Sequence, residues 1–101
     1  MMDFKKLEGF EWDKGNLEHI KKHGVDYREC EHVFSNKPLL INDDEKHSEF
    51  EKRFRAYGRA DKNRLMCVIF MIRKNRIRVI SARDQNKKER KEYLEKGGGS
   101  K

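Results

Sequence analysis

With 101 residues, of which 35% are hydrophobic and 43% charged, the chain has room for one domain around one small core and none for a second. Lys and Arg number 25 against 18 Asp and Glu, a net charge of +7, which favours polyanionic partners through phosphate contacts and counterion release. A membrane span needs roughly 18 apolar residues, far more than the longest apolar run at residues 65–72, and an anionic membrane surface is a weaker alternative partner because no basic helix carries a broad apolar face, so no membrane partner is expected.

The first nine residues scatter charges where a signal peptide carries an apolar segment. The expected location is the cytoplasm. Cys30 and Cys67 stand far apart among apolar neighbours and without metal-ligand spacing, which reads as a pair of reduced, buried fillers.

In chain order, residues 10–12 read as a short strand and Asp13 as the cap of a helix over residues 14–23, ended by Gly24. Leu17 and Ile20 give that helix a thin apolar stripe, so it must lie on another element. Asp26 opens a second helix. Glu29 follows in capping-box position, and Tyr27, Cys30, Val33 and Phe34 recur at helical spacing. Asn36, Lys37 and Pro38 break the pattern before a strand at Leu39, Leu40 and Ile41.

Residues 42–52 are the least structured stretch and include His47. Residues 54–59 alternate Phe54, Ala56 and Gly58 with Arg55, Tyr57 and Arg59, a strand with one apolar and one basic face. Residues 61–63 turn into the apolar run at 65–72, which suits a central strand covered on both sides. A second turn at 73–75 leads to a strand over 76–83.

These elements predict an α+β fold: an antiparallel sheet of about four strands, two amino-terminal helices on its apolar face, and a carboxy-terminal helix. Asn86 and Glu89 form the capping box of that last helix, expected to run to about residue 96 with Tyr93 and Leu94 as its only anchors and a weak hold on the sheet. The expected organisation is a single domain over residues 1–96 and a flexible tail at 97–101, Gly-Gly-Gly-Ser-Lys.

Arginines dominate the candidate chemistry. Arg53, Arg55 and Arg59 belong to one expected strand and Arg76, Arg78 and Arg83 to another in the same sheet. The rigid donor fork of arginine matches phosphate oxygens, and Tyr57 shares the parity of Arg55 and Arg59, offering a ring for a base. The same alternation also describes a merely solvated sheet face. Cleaving RNA requires a 2'-hydroxyl to be deprotonated, a phosphorane to be stabilised and a leaving oxygen to be protonated, and none of this requires a metal or other cofactor.

His23 ends the first helix, where the dipole favours its charged form, although a capping role explains it equally. His19 and His23 stand four apart, a zinc-compatible spacing without a third ligand, so no metal site is expected. Asp13, Glu51 and Asp84 could each orient an arginine or accept a proton, with the helix cap the stronger reading for Asp13. Trp12 is either a core anchor or an edge residue that a partner covers.

Three segments together resemble one family. Phe10-Glu-Trp-Asp13, Asn16 and Lys22-His-Gly-Val25 are followed by Glu51, Arg53 and Gly58, and then by Ile80-Ser-Ala-Arg83, Lys88-Glu-Arg90 and Tyr93. In this order, over roughly residues 10–94, the chain resembles the BrnT ribonuclease toxins. Lys14-Gly-Asn16 departs from the usual start of the first helix by placing a glycine there.

The resemblance implies a RelE-like fold, messenger RNA as substrate, inhibition of translation, and neutralisation by a BrnA-type protein antitoxin whose complex binds operator DNA. It also implies Arg83, Arg53 and His23 as the RNA-cleaving residues, to which the strand-face argument adds Tyr57, with Arg55, Arg59, Arg76 and Arg78 as RNA contacts. The alternative is a non-catalytic module whose arginine face holds nucleic acid or an acidic protein.

Overall fold

A computed structural model describes residues 7–44 and 51–98. His47 and the rest of residues 45–50 in the expected polar stretch, and residues 99–101 of the expected tail, lie outside them. Helix α1, Lys14–Lys21, starts on the capping box expected at Asp13, whose side chain accepts from the Asn16 amide while the Asn16 side chain accepts from the Asp13 amide. It ends two residues earlier than the periodicity predicts, and Gly24 then takes φ +73°, the left-handed turn that glycine adopts without steric cost.

Helix α2, Tyr27–Ser35, starts on the Asp26–Glu29 box. Among the described residues four strands form one antiparallel sheet: β1 Leu40–Asp43, β2 Phe54–Ala60, β3 Arg64–Arg73 and β4 Arg76–Asp84, in the order β1-β2-β3-β4. The α+β architecture expected from the pattern is therefore present. The strand expected at residues 10–12 reduces to one parallel bridge between Phe10 and Ile77 on the outer edge of β4.

The two faces of the sheet differ in cover. On one, Ala56, Ala60, Met66, Val68, Phe70, Val79 and Ala82 form the main core with Ile20 of α1 and Cys30 and Val33 of α2. On the other, Tyr57 and Cys67 pack with Tyr93 of α3, Lys87–Tyr93, over a smaller area. Burial pushes the Cys30 thiol up to about 12 and the Cys67 thiol up to about 11, so both stay protonated fillers.

Trp12 is half-buried. Its Nε1 donates to Glu31 Oε2 at 2.9 Å and its ring stacks on Phe10. Helix α3 departs from the sequence reading, since Leu94 is 40% exposed and anchors nothing, whereas Tyr93 is fully buried and its hydroxyl donates to the Pro38 carbonyl at 2.6 Å. Residues Leu94–Gly98 widen into a π-type turn.

One irregularity governs which side chains share the second face. Phe70 pairs with Val79 while Ile69 pairs with Ser81, so Ile80 is an extra residue in β4. Such a bulge shifts the parity of the strand. Ile77 and Val79 face the main core before it and Ala82 after it, which turns Arg83 to the same side as Arg78, although alternation alone would set them on opposite sides.

Gly58 fixes the distance between sheet and helix. A Cβ there would lie 2.8 Å from Val33 Cγ1 and 3.2 Å from the Val33 carbonyl oxygen of α2. Overpacking of this kind costs about 1–3 kcal/mol. Gly58→Ala is expected to lower unfolding stability by that amount in a urea titration at unchanged circular dichroism, and an unchanged midpoint would refute the close approach.

Candidate functional site

On the second face, a concavity of about 360 Å³ is lined by Asp44, Arg53, Arg55, Ile69, Ile80, Ser81 and Arg83. Pairing across the strands builds it. Arg55 lies opposite Ile69, which lies opposite Ser81, and Tyr57 lies opposite Cys67, which lies opposite Arg83. Three guanidinium groups from the entry of β2 and the end of β4 thus reach one open surface.

Each arginine is held by a carboxylate. Arg55 Nη2 donates to Asp44 Oδ1 at 2.9 Å, and Asp44 is fully buried. Arg83 Nη1 donates to Glu89 Oε1 at 2.7 Å and Nη2 to Oε2 at 3.0 Å, a bidentate pair with a largely buried partner. Arg53 approaches Glu51 at 3.5 Å. Buried carboxylates survive only when paired, and the pairing costs each arginine part of its freedom rather than its charge.

Tyr57 connects the two tight pairs. Arg55 Nη1 donates to its hydroxyl at 3.3 Å, and the hydroxyl donates to Glu89 Oε2 at 3.5 Å. Burial pushes the Tyr57 hydroxyl above its ordinary pKa, while Arg83 holds the Glu89 carboxyl below its own. At neutral pH the chain Asp44, Arg55, Tyr57, Glu89, Arg83 therefore contains a neutral phenol between two ion pairs. The tyrosine ring is 4% exposed, so no base can stack on it.

The other expected site residues are spread out. Arg59 lies over the Tyr93 ring at 5.9 Å and donates to Asn63. Arg76 is exposed beside the turn at Lys74 and Asn75. Arg78 is held by Asp13 at 2.8 Å and Glu11 at 3.3 Å next to α1. His23 is exposed in the turn after α1, a helix whose Ile20 packs on the opposite face of the sheet, and it does not line the concavity. Its ring lies 5.7 Å from that of His19.

Asp13, Glu51 and Asp84 each orient an arginine, Asp84 by its bond to Arg64 at 2.6 Å. Asp44, Ser81 and the second role of Glu89 were not read from the sequence. A signal for the last existed, because a capping glutamate four residues before the buried Tyr93 must lie on the sheet-facing side of its helix.

A carboxylate held below its unfolded pKa stabilises the fold above the unfolded value and loses that contribution as pH falls through the folded value. Glu89, lowered by Arg83, and Asp84, lowered by Arg64, belong to this class. Urea stability is expected to decline on acidification below the ordinary glutamate value of about 4.3, and Glu89→Gln is expected to decline less steeply. Equal slopes for the two proteins would show that the Glu89–Arg83 pair adds nothing to stability.

A search of curated proteins gives no match to the chain. A family model described as the ribonuclease toxin, BrnT, of type II toxin-antitoxin systems matches residues 12–89, a span that contains every residue lining the concavity. With most of its length matched, the chain belongs to the BrnT family of ribonuclease toxins of type II toxin-antitoxin systems.

Proposed function

We propose that this chain is a cytoplasmic endoribonuclease that cleaves messenger RNA and so inhibits translation, with the Arg53, Arg55 and Arg83 concavity as its active site. Arg83 and Arg53 hold the scissile phosphate, and Arg55 and Arg59 bind flanking RNA together with the exposed Arg76 and the more enclosed Arg78. The observation that carries this reading is the meeting of three fixed guanidinium groups on one open surface of a ribonuclease-toxin chain.

In the reaction the 2'-hydroxyl oxygen attacks phosphorus as its proton passes to water, the bond to the 5'-oxygen breaks as that oxygen takes a proton from water, and negative charge gathers on the non-bridging oxygens. Guanidinium groups already aimed at those oxygens need no reorganisation as the charge develops. Tyr57, buried under α3 and outside the lining of the concavity, does not reach the leaving oxygen; its hydroxyl ties Arg55 to Glu89. His23 has no part in this reading, because it lies with the helix layer across the sheet.

A BrnA-type antitoxin neutralises the enzyme, and the complex binds operator DNA. The toxin–antitoxin family supports a protein antitoxin as partner; the BrnA type and the DNA-bound complex rest on the likeness of the three sequence segments.

Removing one charge-stabilising donor costs about 3–4 kcal/mol, so Arg83→Ala is expected to slow RNA cleavage by roughly two to three decades and to abolish growth arrest, with Arg83→Lys between it and the native protein. Circular dichroism must show the native fold. A folded Arg83→Ala protein that binds RNA and cleaves it at the native rate would move the active site elsewhere, and a native protein that binds RNA without cleaving it would favour the binding-module alternative.

Cleavage is also expected to proceed without a divalent metal, the arginines supplying the charge stabilisation. Rates in excess chelator should equal those in its absence. Loss of cleavage in chelator, restored by one added metal ion, would count against this mechanism.

A further inference from the structure

Among the described residues the three α-helices each start on a capping box, and in each the third residue also reaches the sheet. Asn16 of α1 donates to the Val79 carbonyl, and both carboxylate oxygens of Glu29 of α2 accept from Arg64 Nη1, at 2.8 and 2.9 Å. Glu89 of α3 instead accepts one bond from each terminal nitrogen of Arg83. The last pair differs in one respect, because Arg83 lines the concavity and Arg64 does not.

The donors left on Arg83 follow from the geometry of its partners. A guanidinium has five N–H groups, two on each terminal nitrogen and one on Nε. Both hydrogens of Nη1 are engaged, by Glu89 Oε1 and by the Asp84 carbonyl at 3.1 Å, and one hydrogen of Nη2 is engaged by Glu89 Oε2. Glu89 thus takes the end-on fork, and the side-on fork of Nε and Nη2 has no protein acceptor among the described residues. Two parallel donors on one edge match two oxygens of a phosphate.

Glu89 itself is fixed three times over. Its Oε1 accepts from the Asn86 amide at 2.9 Å, its two oxygens hold Arg83, and Tyr57 donates to Oε2. It is 8% exposed, so RNA does not reach it easily as a rival base.

We propose that Glu89 is a positioning residue of the ribonuclease centre, occupying the end-on fork of Arg83 so that the side-on fork is presented to the scissile phosphate. The proposal rests on the reading of Arg83 as a phosphate ligand. It makes the first turn of α3 part of the active site through orientation rather than contact. It also gives Glu89 an action on the transition state that Glu29, with the same capping box and the same arginine partner type, does not share.

The test compares Glu89→Gln, Glu29→Gln, Arg83→Ala and the Glu89→Gln/Arg83→Ala double variant in single-turnover and steady-state cleavage of one RNA oligonucleotide, with thermal unfolding measured for each. Glutamine keeps an acceptor for the cap amide while losing the paired carboxylate. Misorientation of an aligned group costs on the order of a hundredfold, so kcat for Glu89→Gln is expected to fall by roughly that factor with KM little changed. Glu29→Gln is expected to lose stability and keep native kcat per folded molecule.

In the Arg83→Ala background Glu89→Gln is expected to add no further loss, because nothing remains to be oriented. Native kcat for Glu89→Gln beside a crippled Arg83→Ala would overturn the positioning role and leave Arg83 as phosphate ligand. Equal losses of kcat for Glu29→Gln and Glu89→Gln, or additive losses in the double variant, would likewise overturn it and assign Glu89 a structural role. A fully active Arg83→Ala would instead overturn the phosphate-ligand reading itself.

Discussion

The structure depends on one repeated device: a helix start whose capping residue is also the bond that ties the helix to the sheet. Asp13–Asn16, Asp26–Glu29 and Asn86–Glu89 each satisfy orphan amides of a first turn. Asn16, Glu29 and Glu89 then bond Val79, Arg64 and Arg83 of the sheet. Helices of seven to nine residues are too short to be stable in water alone, so these polar tethers fix where each helix sits while burial of Ile20, Val33 and Tyr93 supplies the apolar contact. A chain with so little hydrophobic sequence builds its architecture from polar residues used twice.

The same economy explains the charge distribution. A net charge of +7 suggests an open cationic surface, yet the arginines facing the concavity are held by Asp44, Glu51 and Glu89. Pairing lowers the field that steers an anion from a distance and raises the geometric definition of the donors that meet it. For an enzyme acting on a phosphodiester the second property is the more useful, since stabilisation of the phosphorane depends on where the donors point when charge develops.

Much of the fold was legible in the sequence because its signals are local. Asp13, Asp26 and Asn86 marked the helix starts, Gly24 and Pro38 marked the breaks, and the alternation from Phe54 to Arg59 separated an apolar face from a basic one, all as observed. The candidate site was legible only in part. Arg53, Arg55 and Arg83 meet at one surface, whereas His23 lies with the opposite layer and Tyr57, grouped with the arginines by parity, is covered by α3 and cannot offer its ring. Leu94 was read as an anchor from its chemistry alone and is exposed.

The amino-acid sequence by itself determined the element order, the capping of the helices, the two-faced character of β2 and the family segments, because each rests on residues within a few positions of one another. Tertiary structure decided the rest. The bulge at Ile80 turns Arg83 to the side of Arg55 and Tyr57, and its one sequence trace is the step of three from Val79 to Ala82 in the core-facing series. Nothing local announces that Asp44 will be buried against Arg55, or that a cap at Glu89 will close on a guanidinium six positions earlier. Those contacts exist because strands and helix distant in sequence are packed to a common distance, and only the packing specifies which charges meet.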